Sequence, residues 1–289
     1  LADRPTLLFC VGAAKAGTSW LFRHLAQHPD CWMRSIKELH YFDMIERKTE
    51  ARARRILTER TAALRTETGP RAAVELRDAE DWMRVISRSG ADLDAYSAYL
   101  RQGNDGRPLV ADITPAYALL PEARLAQMAA LPEDPRFLYL LRDPVSRLWS
   151  QARMLARRRV AKGAADMQRA AHRIMSRLID RIDAGEKDRE DYAGAIGRLR
   201  AVVPAARLLI QLTDDLLSAR GLALLHRFLG IREVPGNFDR NVHEGAPLVL
   251  AGPLKKRALA ALRPQYDFVA GLFPALPESW RKNMSEALA

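Results

Sequence analysis

Short, almost wholly apolar runs alternate with longer amphipathic stretches along the chain. Residues 6–11 (TLLFCV) show no polar alternation after the first position, as expected of a strand buried on both faces. A turn of small residues follows, and then a helical pattern over residues 18–28. Residues 109–113 (LVADI), 137–141 (FLYLL) and 207–212 (RLLIQL) repeat the strand character, each ahead of a helical stretch. Strands that alternate with helices predict βαβ units and a parallel sheet. Residues 46–98 and 153–200, rich in Ala, Leu, Arg and Glu, break the alternation and predict helical insertions over the sheet edges. No Pro/Gly/Ser-rich linker and no internal repeat divides the chain, so residues 1–289 are expected to form a single domain. The predicted fold class is α/β: three layers, with a central parallel sheet, helices on both faces and helical insertions.

Charge narrows the partners. The formal net charge is +11, which favours anions but does not separate nucleic acid, acidic lipid and phosphorylated cofactors. Cys10 and Cys31 are too few for a disulfide framework, which points to a reducing compartment. No run of about 18 apolar residues is present, so no stable membrane insertion is expected. Residues 1–12 lack the basic start and cleavage pattern of a signal peptide, and a cytoplasmic location is expected.

The most informative stretch is residues 11–20 (VGAAKAGTSW), which joins the first strand to the first helix. Small residues let backbone N–H groups approach a phosphate, and the helix dipole favours negative charge there. Gly12 and Gly17 have the spacing of the P-loop pattern G-x-x-x-x-G-K-[ST], but Thr18 stands where its lysine belongs. The lysine, Lys15, lies inside the loop instead. After the run 137–141, an NTPase offers an aspartate to Mg²⁺; this chain offers Arg142. The loop is thus P-loop-like without the metal half.

Lys15-Ala16-Gly17-Thr18-Ser19-Trp20 resembles the K-x-G-T-[ST]-W loop of sulfotransferases that use 3′-phosphoadenosine-5′-phosphosulfate (PAPS). The resemblance implies that Ala14, Lys15, Ala16, Gly17, Thr18 and Ser19 bind the 5′-phosphosulfate, that Lys15 stabilises the leaving bridging oxygen, and that Trp20 stacks on adenine. Residues 141–150 (LRDPVSRLWS) follow a strand and open a helix, with Pro144 suited to the first turn. An arginine fork and a hydroxyl make a good receptor for a phosphate monoester. This segment resembles the family's R-D-P-x-x-R-x-x-S motif, which implies that Arg142 and Ser150 bind the 3′-phosphate. Asp143 is expected to order the turn. Arg147 either joins that receptor or sits on the surface.

Sulfuryl transfer to an alcohol needs the hydroxyl proton removed as the new S–O bond forms. Residues 35–43 (SIKELHYFD) resemble a K-E-x-H-[FY]-F segment of glycan-type and bacterial sulfotransferases, which implies Glu38 as the general base, with His40 as the alternative. Residues 111–117 (ADITPAY) resemble the family's E-K-[ST]-P-x-Y segment, except that Ile113 replaces the lysine; a heavily anionic glycan acceptor is correspondingly disfavoured. Asp112 and Tyr117 fit either acceptor contacts or strand-end packing. Residues 237–243, and Arg240, Lys255, Lys256 and Arg257, are candidates to surround the adenosine.

His24 and His28 have i,i+4 spacing but no H-E-x-x-H pattern, so no metal site is expected. Arg157-Arg158-Arg159, with no interleaved aromatics, reads as a solvated helix face or a contact for an acidic acceptor rather than a nucleic-acid site. The expected activity is transfer of the sulfuryl group of PAPS, leaving PAP, to a hydroxyl of a carbohydrate, lipid or other small molecule, with no metal required. The rival readings are a P-loop nucleotide kinase and a non-enzymatic module that binds polyanions.

Overall fold

The computed structural model of the protein describes residues 4–88, 90–159, 164–186, 188–238 and 248–288. Strand β1 (Thr6–Gly12) leads into helix α1 (Thr18–Gln27), followed by the short strand β2 (Cys31–Trp32). Helices α2 (Tyr41–Glu46), α3 (Glu50–Leu64), α4 (Pro70–Ile86) and α5 (Leu93–Arg101) precede β3 (Leu109–Ile113). A 3₁₀ turn (Pro115–Leu119) and α6 (Glu122–Ala129) connect β3 to β4 (Arg136–Leu141). Helices α7 (Pro144–Arg159), α8 (Ala164–Asp183) and α9 (Tyr192–Val202) then lead to β5 (Leu208–Leu212). The last elements are α10 (Thr213–Leu216), α11 (Ala219–Leu229), α12 (Gly252–Ala270) and α13 (Glu278–Leu288).

The five strands form one sheet in the order β2-β3-β1-β4-β5, and every pairing is parallel. All four apolar runs are strands; β2, at the edge, has only two residues. Leu7 to Val11 are wholly buried, which places β1 at the centre of the core and explains its unbroken apolar character. Chain reversal about β1 sends β3 to one side and β4 to the other. The registers bring Gly12 level with Tyr139, and Leu141 level with Leu212. The loops after β1, β3, β4 and β5 therefore leave one edge of the sheet at a topological switch point, where open α/β sheets place their ligands.

Residues 46–98 are helical, as the composition predicts, and their packing bears on the loop ahead of α2. Arg34 Nη2 lies 3.1 Å from Asp78 and 2.5 Å from Asp81, both buried on α4, while the Ser35 backbone N–H donates to Asp78 at 2.6 Å. The insertion thus clamps the chain that runs into residues 37–40. Local signals set the helix ends: Asp92, Asp191 and Ser218 accept N-cap bonds from Ala95, Gly194 and Gly221.

Candidate active site

Two glycines shape the loop after β1. A Cβ on Gly12 would fall 2.3 Å from the Tyr139 ring, so nothing larger fits between β1 and β4. Gly17 sits at φ +86 at the N-cap of α1, the left-handed conformation that glycine adopts without penalty. The Thr213 hydroxyl, just beyond β5, lies 2.9 Å from both the Ala16 and Leu141 carbonyl oxygens, tying the loop to the ends of β4 and β5. Lys15 holds φ +72, a costly conformation for a residue with a Cβ. Its pKa is lowered by burial first, then by the charges of Arg157 and Arg142, against the opposing pull of Glu38.

Arg142 meets this loop directly: its Nη1 donates to the Lys15 carbonyl at 3.1 Å. The Tyr192 hydroxyl donates to the Arg142 carbonyl at 2.7 Å, fixing the backbone at the strand end. Asp143 orders the turn, as expected; it accepts from the Ser146 N–H at 2.8 Å, the Tyr266 hydroxyl at 2.6 Å and the Asn283 amide at 3.0 Å. Arg147 is not a surface residue. It is wholly buried, donates to Gln151 at 2.8 Å and lies 3.7 Å from Glu190. Ser150 is nearly buried, six residues into α7.

Glu38 and His40 sit close together in the loop ahead of α2, at φ +62 and +55. With Lys15 they make three of the five non-glycine residues with positive φ among the described residues, and strained backbone tends to gather at functional sites. His40 Nε2 is 3.6 Å from Glu38 Oε2, and its Nδ1 is 3.0 Å from Asp43 Oδ2. Lys37 pairs with the other Glu38 oxygen. Burial pushes the Glu38 carboxyl up, but His40 and Lys37 outweigh it and hold it at about 2. Burial likewise opposes charge on His40, but Asp43 and Glu38 raise it to about 9. At neutral pH, Glu38 is a carboxylate and His40 an imidazolium, so in this arrangement only Glu38 can accept a proton.

The segment after β3 belongs to the packing. Asp112 is buried and accepts from Thr114 at 2.6 Å, Tyr96 at 2.7 Å and Tyr117 at 2.8 Å. Tyr117 Oη in turn accepts from the Tyr41 N–H at 3.0 Å, so this network supports the loop that carries Glu38 and His40.

The Trp20 indole packs parallel to His24, with centroids 5.2 Å apart, and to Phe238, at 5.8 Å. Its Nε1 donates to the Asn237 carbonyl at 2.8 Å. Beside it, a cavity of about 300 Å³ is lined by Trp20, Arg23, His24, Gln27 and Asn237, among others. His24 also meets His226 of α11, Nε2 to Nε2 at 2.9 Å; burial, then the charges of His226 and His28, lower His24 to about 4, and burial, then His28, lowers His226 to about 4. Both nitrogens of His28 are taken, Nδ1 by the Asp30 N–H and Nε2 by the Arg232 carbonyl.

Sequence reasoning missed Thr213 and His226 as contributors, whereas Phe238 lies in the stretch 237–243 expected near the adenosine. Thr213 alone had a signal, since it follows the last apolar run as Arg142 follows the one before. Lys255 and Arg257 are paired with Glu286 and Asp180, at 2.6 and 2.8 Å. Arg240 and the rest of residues 239–247 lie outside the described residues. Among the described residues no helix is long and apolar enough to cross a membrane.

A sequence model described as "Sulfotransferase family" matches residues 5–196. No curated protein matches the chain in sequence. Among solved structures, the chain is similar to a sulfotransferase from Alicyclobacillus acidocaldarius, with 21% identity, a TM-score of 0.60 and coverage of 96% of this chain and 99% of that one. Weaker likenesses are to the sulfotransferase domain of the Synechococcus PCC 7002 olefin synthase (18% identity, TM-score 0.48, covering 95% and 97%). A sulfotransferase domain from the curacin biosynthetic pathway is comparable (17% identity, TM-score 0.49, covering 99% and 98%). At these identities the structural likeness speaks for the fold alone.

Proposed function

Because the chain belongs to the sulfotransferase family, we propose that it transfers the sulfuryl group of PAPS to an acceptor hydroxyl, releasing PAP, and acts in the cytoplasm. The observation that carries this reading is the bond from Arg142 to the carbonyl of Lys15. It joins the loop suited to a 5′-phosphosulfate to the segment suited to a 3′-phosphate, so that one nucleotide phosphorylated at both positions can bridge them. The cradle has the right chemistry for anions: small residues where side chains would intrude, a helix N-terminus, an ammonium and a guanidinium.

In this reading residues 14–19 and Lys15 hold the 5′ end, while Arg142 and Ser150 hold the 3′-phosphate. Trp20 and Phe238 take the adenine on their faces. At 5.8 Å the two rings are too close for a base to enter between them, which needs about 7 Å, so Phe238 shifts on binding. PAPS supplies the sulfuryl group; the remaining chemistry belongs to the chain. Glu38 takes the acceptor proton as oxygen attacks sulfur, and Lys15 offsets the charge that builds on the departing phosphate oxygen. A carboxylate held at about 2 is a weak base, so the incoming anion must draw Lys37 away from Glu38 before the proton moves. His40, tied to Asp43, orients Glu38 and keeps it ionised.

Calorimetry with PAP and ATP tests the reading. Tight, metal-independent binding of PAP and weak binding of ATP are expected, with PAP affinity reduced in Lys15→Ala. Tight, Mg²⁺-dependent ATP binding would mark a kinase. Steeply salt-dependent binding to any polyanion, indifferent to Lys15→Ala, would mark a polyanion module.

A further inference from the structure

Helix α7 carries more than the 3′-phosphate segment. At 100° per residue, Ser146, Ser150, Arg153 and Arg157 fall within about 60° of one another and form one stripe along the helix. The opposite side, with Val145, Leu148, Ala152 and Ala156, is buried, and α7 packs against α8 and α12. The stripe therefore starts at the segment suited to the 3′-phosphate and runs outward along α7.

Resting on the sulfuryl-transfer reading, we propose that Arg157, with Arg153 behind it, binds an anionic group of the acceptor, and that the acceptor is an alcohol bearing a carboxylate, phosphate or sulfate. The charges of Arg142 and Arg157 act on both Lys15 and Arg153, so the four cations form one electropositive group, and among the described residues no carboxylate pairs with Arg153 or Arg157. Arg153 Nε is buried with no hydrogen-bond partner among the described residues, a cost that a bound anion nearby would relieve. Arg157 is exposed, at the open end of the stripe, about 10 Å of helix beyond Ser150. Its charge bears on Lys15 more than that of any other neighbour.

The donor does not need these two residues. Its 5′ group has the loop and Lys15, and its 3′-phosphate has Arg142 and Ser150. The acceptor hydroxyl must reach Glu38, and Glu38 and Arg157 both act on Lys15, so an acceptor at Glu38 comes within the field of Arg157. Where family relatives carry a lysine after β3, this chain has the buried Ile113. In this proposal α7 supplies the cation instead.

Matched pairs of acceptors test this: phenol with 4-hydroxybenzoate, glucose with glucuronate, and dodecanol with 12-hydroxydodecanoate. The wild-type protein should favour the anionic member of at least one pair by about tenfold or more in kcat/KM, mainly through KM, as expected of a charge-assisted contact. In Arg157→Gln that preference should collapse, Arg157→Lys should restore part of it, and PAP affinity by calorimetry should stay within about twofold. Where no pair is turned over, the PAP-saturated protein is titrated with the same compounds; tighter binding of the anionic members supports the proposal, and equal or absent binding overturns it. A wild-type preference for neutral acceptors overturns it too, as does a loss of PAP affinity in Arg157→Gln with the preference intact. Failure of the wild-type protein to bind PAP at all is a separate result, which removes the donor reading itself.

Discussion

Thr213→Val removes one hydroxyl and leaves shape nearly unchanged, so it isolates the tether between the phosphate loop and the sheet. In the protein that hydroxyl lies 2.9 Å from two buried carbonyl oxygens, Ala16 on the loop and Leu141 at the end of β4. Its single proton can serve one of them at a time or be shared between them. Valine withdraws the donor while both carbonyls stay in place, and a buried acceptor left without a partner costs about 1–3 kcal/mol. For a chain of this size that corresponds to a fall in Tm of about 2–6 °C. If the lost tether is felt wholly where the loop meets phosphate, the same range is about 5- to 150-fold in affinity, so a rise in Kd for PAP of at least about fivefold is expected. Thr213→Ser keeps the hydroxyl and gives up only the methyl group that faces Gly17. Differential scanning calorimetry and PAP titration read both effects. A Thr213→Val protein with wild-type Tm and wild-type PAP affinity would refute the claim that β5 holds the loop.

Lys15→Ala and Glu38→Gln should each abolish most turnover in a transfer assay, with PAP affinity nearly intact in Glu38→Gln; full activity in Glu38→Gln would make another residue the base. The imidazoles predict a stability maximum near pH 6.5 in Tm scans. Between about 4 and 6.5 the unfolded chain binds more protons than folded His24 and His226, so stability rises with pH; between 6.5 and about 9 folded His40 binds more, so it falls. Tm climbing steadily to pH 9 would contradict that assignment. In NMR titrations His40 should titrate near 9, and in Glu38→Gln lower but still above 6.5, because Asp43 remains 3.0 Å away. His226→Phe removes the partner of His24, and should change tryptophan emission and weaken PAP binding; unchanged values would show that the histidine pair does not position Trp20.

The central strands were legible because they are buried on both faces, which writes burial directly into consecutive apolar residues. Strand β2 was not, since two residues carry no period. Lys15 and Arg142 were legible because the loop and the strand end are local patterns, and their adjacency follows from parallel pairing of β1 with β4. Arg147 stayed undecided for the opposite reason: its partners, Gln151 and Glu190, come together only after folding, and an arginine stretch looks solvated until such partners are known. The wall around Trp20 is less local still. Asn237 is 217 positions away and His226 lies 202 positions from His24, so no window of sequence contains the contact. Asp112 and Tyr117 stayed ambiguous because a strand-end acid looks alike whether it faces a ligand or three buried hydroxyls.

The two sides of the cleft rest on different kinds of support. The side proposed to hold the donor is built from the ends of β1, β4 and β5, where strand register sets the spacing and Thr213 and Tyr192 lock the loops. Changing it means changing the sheet. The side that carries Glu38 and His40 is a loop held from outside: Arg34 and Ser35 are gripped by Asp78 and Asp81 of α4, and Tyr41 by Tyr117. The helical insertion therefore works as the brace of the base-bearing loop. A site divided in this way can vary its acceptor through the insertion and the outer stripe of α7 while its donor half stays constant, because loops on a rigid scaffold accept change that strands do not.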